Sequence, residues 1–187
     1  VMKLAKGLIK LGIKEGDHVA VIGRNRPYLY WSLLATQHIG AVPVPLYQDA
    51  VAEEMEYIFT QCNATFAIVG DQEQVDKIYE ISGSLKGFKD IVYVDPKGLR
   101  KYDKKKLHDF ASVLKSGEED KGTLASELDR RVAKIDGGTT CVLCYTSGTT
   151  GKSKGVVQTH KAIIGASMAA VDFDQFNNKD SILSYLP

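Results

Sequence analysis

Short apolar runs alternating with helix-length amphipathic stretches constrain this chain most. Residues 18–22, 65–69 and 90–94 are apolar runs of strand length with turn formers near their ends. Between them, residues 28–39, 50–61 and 72–80 carry apolar side chains at helical spacing. Pro27 suits a helix start and Gly40 a helix end. Pro43 and Pro45 bias their predecessors away from helix, so residues 41–46 are expected to be extended. Strands separated by helices predict an α/β fold, a mainly parallel sheet with flanking helices.

The flanks are less regular. Leu4, Leu8 and Leu11 predict an opening helix with Lys3, Lys6 and Lys10 elsewhere around the turn. One packed face and one solvated face is the plain reading; contact with a membrane surface is the alternative. Residues 95–122 gather charge, with Lys101, Lys104, Lys105 and Lys106 ahead of Glu118, Glu119 and Asp120. They are expected to form a solvated excursion with a short helix over 107–114, the basic cluster touching phosphate or lipid headgroups only as an alternative. A helix follows over 124–135, then a buried strand over 141–145. The last residues, 181–187, read as the beginning of another strand, and the chain as a piece of a longer protein.

A chain of 187 residues favours one domain, and a net charge of +1 gives no reason to invoke nucleic acid. No stretch approaches the roughly 20 apolar residues of a membrane span, and no secretory signal opens the chain. Cys62, Cys141 and Cys144 are too few for a disulfide framework and fit a reducing, cytoplasmic setting. Cys141 and Cys144 are three apart in an expected strand, hence on opposite faces, with no second pair at zinc spacing.

Chemistry concentrates in residues 146–155, TSGTTGKSKG. Gly148, Gly151 and Gly155 let backbone N–H groups converge on an anion. Hydroxyls donate to phosphate oxygens, and Lys152 and Lys154 supply positive charge. A Walker A loop is one candidate, since Gly151-Lys152-Ser153 matches its end. Its first glycine would fall at Thr146, however, and a helix should follow where Val156-Val157 favours a strand. A plain Gly/Ser/Thr hairpin explains the composition without explaining the order.

Tyr145 to Val156, YTSGTTGKSKGV, resembles the phosphate loop of the adenylate-forming superfamily, which includes acyl-CoA synthetases, peptide-synthetase adenylation domains and luciferases. The one departure is Ser153, where the family usually has Pro. The resemblance covers essentially the whole chain: GDHVAV from Gly16, YWSLLA from Tyr30, GAVPVPL from Gly40, Thr159-His160-Lys161, and a motif cut short at Ser184-Tyr185-Leu186-Pro187. Residues 47–50 and 71–75 look most like bacterial long-chain fatty acyl-CoA synthetases.

The resemblance implies ATP-dependent activation of a fatty acid to acyl-AMP, with pyrophosphate release, then thioester formation with coenzyme A. It implies that Thr146, Ser147, Gly148, Thr149, Thr150, Gly151 and Lys154 hold the β and γ phosphates, that Thr146 helps place Mg²⁺, and that Lys154 stabilises the leaving pyrophosphate. Lys152 falls at the family's variable position and is expected to be exposed. His160 is either a general base or, more plainly, the opening of the next helix. Trp31 and Tyr28 are expected in the core rather than in a ligand pocket. Glu53, Glu54 and Glu56 are expected on a solvated helix face. Residues 1–187 would then be a partial N-terminal domain. The adenine-binding aromatic segment, a ribose-binding Asp, a Mg²⁺-sharing Glu and the late catalytic Lys of the family lie downstream. Such a piece is expected to be inactive alone and to self-associate through apolar surface meant for the absent part. Another adenylating specificity, aryl or aminoacyl, and a noncatalytic phosphate-binding module remain the other readings.

Overall fold

The computed structural model describes residues 1–146 and 151–184. Its elements follow the expected alternation: α1 (Met2–Lys10), β1 (His18–Ile22), α2 (Pro27–His38), β2 (Val42–Leu46), α3 (Ala52–Cys62), β3 (Ala64–Val69), α4 (Gln72–Ile81) and β4 (Asp90–Tyr93). Then come β5 (Leu107–Asp109), α5 (Phe110–Glu118), α6 (Thr123–Val132), β6 (Thr140–Thr146), β7 (Lys154–Thr159) and α7 (His160–Asp174).

The first five strands form one parallel sheet in the order β2-β1-β3-β4-β5. Side chains alternate across a strand, and here both sides find a core. Ala20, Ile22, Ala67, Val69, Ile91 and Tyr93 pack with Met55, Phe59 and Ile78 of α3 and α4. Val19, Val21, Phe66, Ile68 and Val92 pack with Leu4, Leu8, Leu29, Val113 and Leu128 from α1, α2, α5 and α6. Burial on both faces explains why these strands read as continuous apolar runs.

α1 fixes one reading. Leu4, Ala5, Gly7 and Leu8 are buried, and its glycine packs against α5, so its apolar face is committed to the core rather than to a membrane. Among the described residues, no helix is long and apolar enough to cross a membrane. Arg131 of α6 is also nearly buried: its guanidinium donates to Glu127 at 2.7 Å and to the Ile13 and Ile39 carbonyls at 3.0 and 3.3 Å, tying three segments together.

Three expectations are corrected. Residues 95–122 are not simply a solvated excursion: Leu99, Phe110 and Val113 are 0%, 8% and 6% exposed and pack into the two cores. Residues 107–109 are a fifth strand, not the start of a helix: Leu107 pairs with Ile91 and is 3% exposed. The helix starts at Phe110 because the Asp109 carboxylate accepts from the Ser112 amide at 2.8 Å, an N-cap that sets the boundary. Residues 181–184 are irregular and exposed rather than a strand, and residues 185–187 lie outside the described residues. The basic cluster is partly engaged at the surface, with Lys104 Nζ 4.8 Å from the Tyr93 ring centroid.

Candidate functional site

β6 and β7 form an antiparallel hairpin whose pairs run from Thr140↔Thr159 to Thr146↔Lys154. The glycine-rich segment therefore leaves one strand at Thr146 and returns on another at Lys154. That is strand–loop–strand, and it removes the Walker A reading, which requires a helix directly after the lysine. A Gly/Ser/Thr hairpin is the right topology, and the order of residues within it carries the rest.

The hairpin is fixed to the sheet by its β6 strand. Leu143 is 9% exposed and joins the α3–α4 core, with Tyr145 half-buried beside it. Gln37 of α2 donates to the Cys141 carbonyl at 3.0 Å and lies 3.1 Å from its sulfur. Cys141 is buried and Cys144 half-buried, both free, with burial raising each thiol; they do not pair, as the strand alternation requires. β7 is exposed from Lys154 to Val157, and α7 has no buried residue.

Of the residues expected to hold phosphate, Thr146, Gly151 and Lys154 are placed and exposed. Gly151 has φ +91°, a left-handed conformation that a side chain rarely adopts, so the glycine is required there. Ser147, Gly148, Thr149 and Thr150 lie outside the described residues. Thr146 and Ser153 border a cleft of about 330 Å³ whose other walls include Leu46, Tyr47, Glu54 and Tyr145. Thr146 thus offers a hydroxyl where the glycine-rich segment leaves β6. That donor suits Mg²⁺, which takes one or two protein oxygens and completes its shell with phosphate and water. Among the described residues no cluster of three or more His, Cys, Asp or Glu side chains gathers around a metal position.

Burial pushes the Cys62 thiol up to about 11. The Tyr145 phenol is pushed up to about 12, by burial first and then by neighbouring Cys62 and Tyr57. Both groups therefore keep their protons near neutral pH.

His160 begins α7, and the Thr159 hydroxyl caps that helix by accepting from the Ala162 amide at 3.2 Å. The plainer role expected for His160 matches this position. Trp31 is 46% exposed and lines no core, contrary to expectation; it sits on the outer side of α2. Tyr28 is half-buried, and its hydroxyl accepts from the Arg24 amide at 3.0 Å above the Gly23 and Gly70 backbone. Glu53 and Glu54 are exposed as expected, but Glu54 also borders the loop cleft. Sequence reasoning missed Tyr57 of α3. Its hydroxyl donates to the Ser153 carbonyl at 3.1 Å, and its ring lies 5.5 Å from Lys152 Nζ.

The family model for the AMP-binding enzymes matches residues 1–187, the whole chain. The chain belongs to the AMP-binding enzyme family. Among curated relatives, the long-chain-fatty-acid–CoA ligase ACSBG1 of Rattus norvegicus is 28% identical over 99% of this chain and 26% of its own length. The 4-coumarate–CoA ligase CCL1 of Humulus lupulus is 33% identical over 99% of this chain and 32% of its own. Among solved structures, a long-chain-fatty-acid-CoA ligase, FadD1, from Archaeoglobus fulgidus superposes with a TM-score of 0.76 at 20% identity, covering 96% of this chain and 32% of that one. The chain spans about a quarter to a third of these relatives. The mainly parallel α/β architecture of this AMP-binding family member agrees with the solved neighbours.

Proposed function

We propose that the whole protein carrying this chain is an ATP-dependent acid–thiol ligase acting on a long-chain fatty acid. The observation that supports it most is the hairpin that sets Thr146 opposite Lys154 at the two ends of a glycine-rich segment. Around a polyphosphate, loop amides and hydroxyls would hold the β and γ phosphates and Lys154 would neutralise growing charge. A carboxylate oxygen attacks the α-phosphorus, the bond to the β-phosphate oxygen breaks, and pyrophosphate leaves. Coenzyme A sulfur then attacks the acyl carbon, AMP departs, and the thiol proton is released. In such transfers positioning and charge stabilisation carry the catalysis. Mg²⁺, held partly by Thr146, would supply further charge neutralisation on the phosphates.

The fatty-acid specificity rests on the relatives' own names and on residues 47–50 and 71–75. The hop relative, a 4-coumarate–CoA ligase, makes an aryl acid the second reading. A reducing cytoplasmic setting is supported by three free thiols. ATP–pyrophosphate exchange by the whole protein, run in parallel with palmitate, 4-coumarate and single amino acids, tests the proposal. Exchange that depends on palmitate supports it. Exchange with an aryl or amino acid alone moves the protein to that specificity, and absence of exchange with every acid removes the ligase reading.

A further inference from the structure

Tyr57 touches the returning arm of the glycine-rich segment at two successive residues. Its hydroxyl donates to the Ser153 carbonyl at 3.1 Å, and its ring faces the Lys152 ammonium at 5.5 Å from the centroid. The contact spans 96 residues of chain and joins α3, a rigid helix of the sheet core, to the residue just before Lys154. Neighbouring Met55, Ile58 and Phe59 are at most 3% exposed, so the helix carrying Tyr57 is anchored firmly. Across the hairpin, the departing arm is held by Leu143 and Tyr145 packing on the same core. The returning arm has no such apolar anchor, because β7 is exposed from Lys154 to Val157.

We propose that Tyr57 is a positioning residue for the phosphate loop, one that sets the path of the returning arm and so the place of Lys154. Ser153 stands where the related loops usually carry Pro, and Pro would restrict that backbone by itself. Here a side-chain clamp from α3 supplies the restriction, through the Ser153 carbonyl, while the ring engages the Lys152 ammonium. The clamp acts through Lys154, the residue after Ser153, and Tyr57 itself touches no reacting atom. The inference rests on the ligase reading for its effect on ATP, but not for the clamp itself.

Two variants of the whole protein test it, Tyr57→Phe and Tyr57→Leu. Phe keeps the ring and loses the hydroxyl; Leu loses both contacts. In pyrophosphate exchange, Tyr57→Phe should raise KM for MgATP roughly three- to tenfold, the worth of one neutral hydrogen bond. KM for the acid and the melting temperature should stay at wild-type values. Limited trypsin digestion supplies a readout independent of activity: cleavage after Lys152 should be faster in Phe than in wild type, and faster again in Leu. Unchanged cleavage after Lys152 in both variants overturns the clamp. A parallel rise of KM for ATP and acid, with a lowered melting point, reduces Tyr57 to a structural residue and also overturns it. Were wild type to show no exchange with any acid, the ligase reading would fall while the trypsin comparison still decided the clamp.

Discussion

A Cβ on Gly117 would lie 2.5 Å from the backbone nitrogen of Gly7 and 2.0 Å from the Lys3 carbonyl oxygen. Helices α1 and α5 therefore meet backbone to backbone at this pair, and a Cβ on Gly7 would in turn come within 2.1 Å of the Val113 carbonyl oxygen. Neither obstacle is a flexible side-chain end, so the helices must separate to admit a methyl group. Gly117→Ala should destabilise the chain by about 3 kcal/mol, at the upper end for overpacking a core. Urea unfolding checks this. Gly83, whose missing Cβ would meet nothing, is the control: Gly83→Ala should change stability far less.

Alkaline pH should weaken the α3–β6 contact. The Cys62 thiol ordinarily titrates at 9.0 and is raised to about 11 by burial; the Tyr145 phenol ordinarily titrates at 10.0 and is raised to about 12. Between its ordinary and raised values each group holds its proton better in the folded than in the unfolded chain. Stability then falls as pH rises. It should be flat with respect to these groups below pH 9, decline from 9 to 11 for Cys62, and from 10 to 12 for Tyr145. Thermal melts across that range check it. Cys62→Ala should reduce the earlier part of the decline, to which the raised Cys141 and Cys144 thiols also contribute, and a pH dependence identical to wild type would show that Cys62 does not contribute.

The C-terminal third of the chain presents apolar side chains to solvent. Ile164, Met168 and Phe173 of α7 are 55%, 61% and 88% exposed, and Val157 is 61% exposed. A helix apolar around its circumference is ordinarily covered. The isolated 187-residue chain should self-associate in analytical ultracentrifugation. Replacing Ile164 and Met168 with Glu should shift it toward monomer. A monodisperse monomer before substitution contradicts the expectation.

The sheet was legible in the sequence because His18–Ile22, Ala64–Val69 and Asp90–Tyr93 are buried on both faces, which leaves no polar alternation to blur the pattern. β5 was not, because Leu107–Asp109 contains one apolar residue, and its strand character comes from pairing with β4 rather than from its own pattern. Trp31 shows the reverse limit: an aromatic residue on an apolar helix looks like core, yet its position around α2 leaves it 46% exposed. The hairpin around the glycine-rich segment was legible because Val156-Val157 favours a strand over a helix. Tyr57 carries no local sign of its role, since a half-buried tyrosine on an amphipathic helix is common. Only its long-range bond to Ser153 sets it apart.

Lys154 is the residue on which the account depends, because it pairs with Thr146 at the mouth of the hairpin while Lys152 is held over the Tyr57 ring. The most direct measurement is ATP–pyrophosphate exchange with palmitate in the whole protein, comparing Lys154→Ala with Lys152→Ala. Lys154→Ala should lower exchange by roughly two or more powers of ten, the scale for losing a preorganised charge contact. Lys152→Ala should stay within about fivefold of wild type, as expected for losing an exposed cation–π contact. Near-wild-type exchange in Lys154→Ala would contradict the assignment of this loop and, with it, the proposed route to pyrophosphate release.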